Sequence, residues 1–269
     1  MSATATATEA EQQEMRRERA IHGTEWDRIH GGYFASHAVA EPLTKAIQTA
    51  AKHAQPQVIV DLGGGTGFML HELARHGLAA NTRLINLDAS AEQLEQVHDP
   101  RVKHIQASLP DLRRAQIAKK DERTLFIMRS VIHYFGRDGF MPILKKLRRL
   151  MQPGERFVHQ TACFENIAAA KCLNELYELM GTGKWYPLVS ALCLALTEAG
   201  WQVEATSPAP PLPLGSHDLA RRYNLAPARL AQIQRILAAD CGECTKVFET
   251  TRRGFTAYLP YTIFTCVAL

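Results

Sequence analysis

Val58-Ile59-Val60-Asp61-Leu62-Gly63-Gly64-Gly65-Thr66-Gly67 runs directly into FMLHELARHG at 68–77. A β-branched apolar run that ends in a carboxylate, breaks into glycines and resumes as an amphipathic helix reads as the first strand-loop-helix unit of a nucleotide-binding α/β sheet. Gly63, Gly65 and Gly67 lack a Cβ, so the chain there can turn sharply and approach a ligand while helix N–H groups point at it. The spacing narrows the ligand. A dinucleotide fingerprint G-x-G-x-x-G needs glycine at 68 or at 70, depending on register, and those positions hold Phe68 and Leu70. What remains is Asp-x-Gly-x-Gly-x-Gly, whose acid would repel a pyrophosphate but suits a ligand carrying an amino group and a sulfonium.

Outward from this stretch, EPLTKAIQTAAKH at 41–53 has helical periodicity, with Pro42 read as a first-turn residue. RLINLDAS at 83–90 is a second strand ending in Asp88. A carboxylate there can accept hydrogen bonds from both hydroxyls of a ribose, the alternative being an N-cap for the AEQLEQV helix that follows. VKHIQAS is the third strand. The fourth, TLFIMRSVIHYF, is almost continuously apolar, as a central strand buried on both faces should be. After it come a Leu- and Arg-rich helix, FMPILKKLRRLM, and the turn Gln152-Pro153-Gly154-Glu155.

Two of these segments carry a family resemblance. DLGGGTG at 61–67 resembles the first motif of class I S-adenosylmethionine (SAM)-dependent methyltransferases, and RSVIHY at 129–134 resembles the R-x-V-L-H segment of many small-molecule members, with the same helix and turn behind it. The resemblance covers roughly residues 45 to 160. It implies an α/β fold: a Rossmann-like seven-stranded, mostly parallel sheet with an antiparallel last strand, helices on both faces and helical lid elements. It also implies SAM as cofactor and S-adenosylhomocysteine as product. Asp61, Gly63, Gly65 and Gly67 would contact the methionine end, Asp88 the ribose, with Arg129 and Ser130 beside them. The family's acid after the third strand is missing; the sequence has Ala107-Ser108-Leu109-Pro110-Asp111, so Ser108 or a backbone group takes the adenine amino group and Leu109 packs on the ring. The Pro-Pro tetrapeptide of base amino methylation and the Pro-Cys nucleophile of cytosine methylation are absent, and the double-glutamate loop of arginine methyltransferases is not recognisable.

His133 is the candidate general base, since imidazole titrates near neutral pH. Methyl transfer is an in-line displacement that needs alignment more than a strong base, so His133 reads equally as a structural residue of the strand-to-helix turn. The acceptor side is expected from two regions. The N-terminal segment of such enzymes often folds over cofactor and substrate, which makes Trp26 and Tyr33 lid candidates, or else anchors of an N-terminal helix. ERFVHQTACF is the fifth strand and leaves His159 near the edge where open α/β sheets bind ligands. Phe164, Tyr177, Trp185 and Tyr186, on two helices around a glycine-rich break, would line an acceptor pocket or, at helical spacing, the core.

Towards the C-terminus, WQVEATS reads as the sixth strand, PAPPLPLG as a stiff extended connector, and TAYLPYTIFTCVAL as the antiparallel last strand. The expected organisation is an N-terminal tail and helical lid over 1–44 and a methyltransferase domain over 45–269, with a helical insertion at about 216–240 that either covers the substrate site or forms a homodimer contact.

Composition bounds the partners. With 269 residues, 46% of them hydrophobic, the chain can bury one sizeable core. A formal charge of +4, scattered in pairs, gives no nucleic-acid stripe, and no apolar segment of membrane-spanning length or signal pattern is present, which points to a cytoplasmic protein and a small-molecule acceptor. The cysteines read as buried thiols; Cys241-Gly-Glu-Cys244 is too little for zinc, which wants four ligands, so no metal is expected. Alternatives are an RNA or protein methyltransferase, or a SAM-binding protein of this fold that does not methylate.

Overall fold

The structure, a computed structural model, describes residues 31–78, 82–242 and 246–269. Trp26 and Cys244 lie outside the described residues. A short 3-10 turn over 31–35 leads into α1 (His37–Ala54), β1 (Val58–Leu62), α2 (Phe68–Arg75), β2 (Arg83–Asp88), α3 (Ala91–Leu94), β3 (Val102–Gln106), α4 (Arg114–Ile117) and β4 (Thr124–Arg129). A 3-10 turn, Ile132–Phe135, opens α5 (Gly136–Arg149), followed by β5 (Arg156–Ala162), α6 (Ile167–Leu179), α7 (Val189–Glu198), β6 (Trp201–Gly215), α8 (Ser216–Arg222), α9 (Pro227–Asp240), β7 (Phe248–Thr251) and β8 (Gly254–Ala268).

The strands form one sheet in the order β3-β2-β1-β4-β5-β8-β6, with β7 paired to β8. The pairings from β3 to β5 are parallel and those of β8 with β5, β6 and β7 antiparallel. The strand order reverses between β1 and β4, so the crevice beyond their carboxyl ends is where a ligand of such a sheet binds. Alternate side chains of β1 feed opposite layers. Val58, Val60 and Leu62 pack with Phe140, Leu144 and Leu147 of α5 and Leu192 and Leu196 of α7, whereas Ile59 packs with Leu43 and Ile47 of α1 and Leu70 and Leu73 of α2. Helices therefore cover both faces.

Four local expectations are corrected. The first helix begins at His37, because Ser36 caps it by accepting from the Val39 N–H, and this leaves Pro42 inside the helix. The fourth strand stops at Arg129, since Ser130 turns the chain at φ 63° and Ile132–Phe135 winds into a 3-10 turn. The Pro-rich stretch is strand: β6 is the sheet's outer edge, where a missing N–H need not interrupt a ladder, and two irregularities between Val203 and Ala205 and between Ala209 and Leu212 absorb the misfit. The sheet has eight strands, because the chain after α9 folds back as a β7–β8 hairpin. Cysteines differ too, with Cys172 of α6 and Cys241 at the end of α9 joined as a disulfide while Cys163 and Cys266 are buried thiols.

β5 pairs with β8 only from Ala162–Tyr261 to Arg156–Val267, so 254–260 of β8 and the paired part of β6 run on beyond it. That extension carries Leu212, Leu214, Ala257 and Leu259 into a third apolar cluster with α6, α8 and α9. The cluster stands at the same carboxyl edge as the crevice.

Candidate active site

The glycine loop is built by exclusion of side chains. At Gly63, φ is 72° and a Cβ would meet the Val131 side chain at 2.7 Å. Gly64 is tighter still, because its Cβ would overlap Asn86 Oδ1 and lie 2.7 Å from the Asp61 carboxyl carbon. Asn86 is the one polar residue inside β2, and its Nδ2 donates to the Gly65 carbonyl at 2.7 Å. Gly64→Ala should therefore displace the loop and weaken binding of a nucleoside ligand at least tenfold, with a destabilisation of about 1–3 kcal/mol. Calorimetric titration with S-adenosylhomocysteine and a urea melt measure the two effects.

A cavity opens above this loop at the ends of β1, β2 and β4, enclosing about 1090 Å³ of space that includes its open mouth. Asp61, Gly63, Gly65, Asp88, Ser108, Leu109, Arg129 and Ser130 all line it. Gly67 does not; it precedes α2 in a left-handed conformation and faces away. The wall also includes Phe34, Gly64, Phe68, Gln93, Tyr134 and Phe135, which the motif reading passes over. Only Asn86 behind the wall carries a sequence signal, as an amide in an apolar strand.

Asp61 is fully buried, and its Oδ2 has no hydrogen-bond partner. Burial and, to a lesser extent, the neighbouring Asp88 raise its pKa while Arg129 opposes both, which leaves it pushed up to about 7. Asp88 is fixed by accepting from Gly65 N–H at 3.0 Å through Oδ2 and from Ser90 N–H at 2.8 Å through Oδ1. Ser90, not Asp88, caps α3. Ser108 donates to Asp111, while Leu109 gives the cavity an apolar wall. Ser130 pairs with the Tyr261 hydroxyl at 2.6 Å.

The remaining candidates stand off the wall. The His133 ring packs 4.2 Å from Tyr134 and 5.1 Å from Tyr186, and its carbonyl accepts from Trp185 N–H. His159 lies inside the core, sandwiched by Phe157 and Phe264 with Nδ1 2.7 Å from Thr161 Oγ1; burial drops its pKa to about 3, so it stays neutral. Tyr33 is buried under the cavity, bonded to the Pro210 carbonyl and Gln160 Nε2, and burial lifts its phenol to about 12. Phe164, Tyr177 and Tyr186 belong to the third apolar cluster, and Trp185 packs on Phe140.

Comparison with known proteins agrees with this geometry. Residues 59–154 match a family model described as a methyltransferase domain. A comparison with curated proteins found no match. Among solved structures, the YcgJ protein of Bacillus subtilis superposes with TM-score 0.61 at 15% identity, covering 85% of this chain and 98% of that one. The 1,6-didemethyltoxoflavin N1-methyltransferase of Burkholderia thailandensis, solved with its acceptor and S-adenosylhomocysteine, gives 0.58 at 14% identity over 100% and 93%. A SAM-dependent methyltransferase of Geobacter sulfurreducens, solved with S-adenosylhomocysteine, gives 0.54 at 14% over 94% and 98%. The fold is that of the class I SAM-dependent methyltransferases. Within it, the residues that match the methyltransferase-domain model, 59–154, run from β1 to the turn before β5 and include the glycine loop and Asp88.

Proposed function

We propose that the protein transfers a methyl group from SAM to an O, N or C atom of a small molecule, of the kind handled in secondary metabolism. The observation that carries this is the cavity itself, which joins the buried Asp61 carboxyl, Asp88 at the end of β2 and an apolar floor at one sheet edge. SAM supplies an electrophilic methyl on a sulfonium. The chain's residues do the rest: Asp61 receives the amino group, Asp88 the ribose, and Ala107 and Leu109 a flat base. Phe34, Val131, Tyr134 and Phe135 form the apolar rim against which an acceptor is aligned and water excluded. The helices of 216–240 and the N-terminal residues 1–44 are assigned as its cover, around a domain spanning 45–269, with Tyr33, Phe164, Tyr177, Trp185 and Tyr186 as the packing behind that rim.

We assign His133 to positioning, because its ring supports Tyr134 from behind. His133→Phe keeps the ring contacts and removes both nitrogens, so kcat should fall less than about tenfold with an unchanged pH profile. Loss of a titration limb in that variant would restore the base assignment.

Incubation with methyl-labelled SAM and a cell extract tests the function. Label appearing in a low-molecular-weight product supports it. Label in RNA or protein supports a macromolecular acceptor, and binding with no label transfer supports a non-methylating protein of this fold.

A further inference from the structure

Lys184, in the connection between α6 and α7, is only 6% exposed, and lysine is among the side chains least often buried. Its Nζ donates to the Tyr223 hydroxyl at 2.9 Å and stands 4.8 Å from the ring centroid of Tyr134, 5.4 Å from that of Tyr223 and 5.8 Å from that of Tyr177. The rings come from three places in the chain: the 3-10 turn after β4, α6, and the residue after α8. Their faces attract an ammonium without neutralising it. Burial holds the phenols of Tyr186, which packs on Tyr177, and of Tyr261 well above their usual range, so these hydroxyls stay neutral too.

This box adjoins the rim assigned to the acceptor. Tyr134 lines the cavity and its ring also meets the ammonium, so one side chain separates the charge from whatever lies against Tyr134. The backbone on either side of Lys184 is fixed to the same turn. Trp185 N–H donates to the His133 carbonyl at 3.3 Å, and a Cβ on Gly136 would lie 3.0 Å from the Gly183 carbonyl. The cavity is consequently polarised. Its carboxyls, Asp61 and Asp88, stand at the ends of β1 and β2, whereas the Lys184 charge stands by the turn that follows β4. A cationic group is drawn to the first end and an anionic one to the second.

We propose that Lys184 is a specificity-determining residue, selecting across Tyr134 for small-molecule acceptors that are organic anions at neutral pH, such as carboxylates or acidic phenols and enols. This deepens the proposed function and rests on the reading of the cavity as a methyl-transfer site. In a poorly screened wall, a unit charge one ring away favours an anion over its neutral counterpart by about tenfold. Aromatic faces on the rim suit an acceptor that is also planar.

The test supplies methyl-labelled SAM and, as acceptor source, the small molecules of a cell extract split on a strong anion exchanger at neutral pH. The desalted salt eluate, which holds the organic anions, should take up at least tenfold more label than the flow-through. Label chiefly in the flow-through, or equal label in both, overturns the proposal. With the eluate as acceptor, Lys184→Met, which keeps the stem of the side chain and drops its charge, should raise the apparent KM at least tenfold. Affinity for S-adenosylhomocysteine should change less than threefold. Lys184→Arg, which keeps the charge, should stay within about threefold of wild type in KM. An unchanged KM in Lys184→Met, or equal losses in both variants, assigns Lys184 to packing alone and also overturns the proposal. Should Lys184→Met fail to fold, the partition of label by the wild-type chain decides. A wild-type chain that binds S-adenosylhomocysteine but labels neither fraction would instead overturn the methyl-transfer reading, which keeps the two failures distinct.

Discussion

Asp61→Asn should weaken binding of S-adenosylhomocysteine by about 10–100-fold, the value of a charge-assisted contact worth ~1.5–3 kcal/mol. The substitution keeps the shape of the buried side chain and removes the charge that attracts the ligand's ammonium. It should leave the empty protein as stable as before or more so, because the native carboxyl is buried beside Asp88 without a partner on Oδ2. Its pH signature follows from the raised pKa. The unfolded chain loses the Asp61 proton near 4 and the folded chain near 7. Between those values the folded state holds a proton that the unfolded state lacks, so stability falls as pH rises from about 4 to about 7 and is flat above it, with a ceiling of ~4 kcal/mol. Ligand affinity moves the other way, tightening by up to about tenfold per pH unit below 7 as the carboxylate forms. Urea melts and titrations across this range, on wild type and Asp61→Asn, check both slopes. A wild-type affinity independent of pH would remove Asp61 from the ammonium contact.

The cavity wall around the glycine loop was legible because its physics is local in sequence. Asp61 and the glycines are consecutive, and Asp88 ends the next strand in register with β1, so strand periodicity alone brings them to one edge. Gly64 escaped notice because its constraint is a neighbour, Asn86, rather than a positive φ. The strand count and the Pro-rich edge escaped for a related reason. Whether a Pro-rich segment is connector or strand depends on having a free edge to occupy, and only the sheet order reveals that β6 has one. His159 illustrates the limit most plainly. Its position on β5 is near the ligand edge, but alternation points its ring between Phe157 and Phe264 and away from the cavity. The disulfide of Cys172 with Cys241 joins residues 69 apart, a pairing that needs α6 and α9 already packed together.

Glu155→Ala should cost ~3–5 kcal/mol, the largest stability loss of any change considered. Glu155 closes the QPGE turn, 2% exposed, and takes a bidentate pair from Arg114 at 2.7 and 2.8 Å. The same two oxygens accept from the backbone N–H of Thr124 and of Gln152, each at 2.7 Å. One carboxylate thus ties α4, the start of β4 and the turn before β5. Its removal strands a half-buried guanidinium and two backbone donors at once. The expected fall in melting temperature is on the order of 10 °C. Adding Arg114→Met to Glu155→Ala should recover only part of the loss, because the Thr124 and Gln152 donors stay unsatisfied; full recovery would assign the whole effect to the ion pair. All of these groups lie at the amino ends of β4 and β5, the edge opposite the cavity. The folded fraction of Glu155→Ala should consequently bind S-adenosylhomocysteine with wild-type affinity, the reverse of Asp61→Asn, which spares stability and loses the ligand. That opposition is what a sheet with its structural ion pair at one edge and its cavity carboxylates at the other must show.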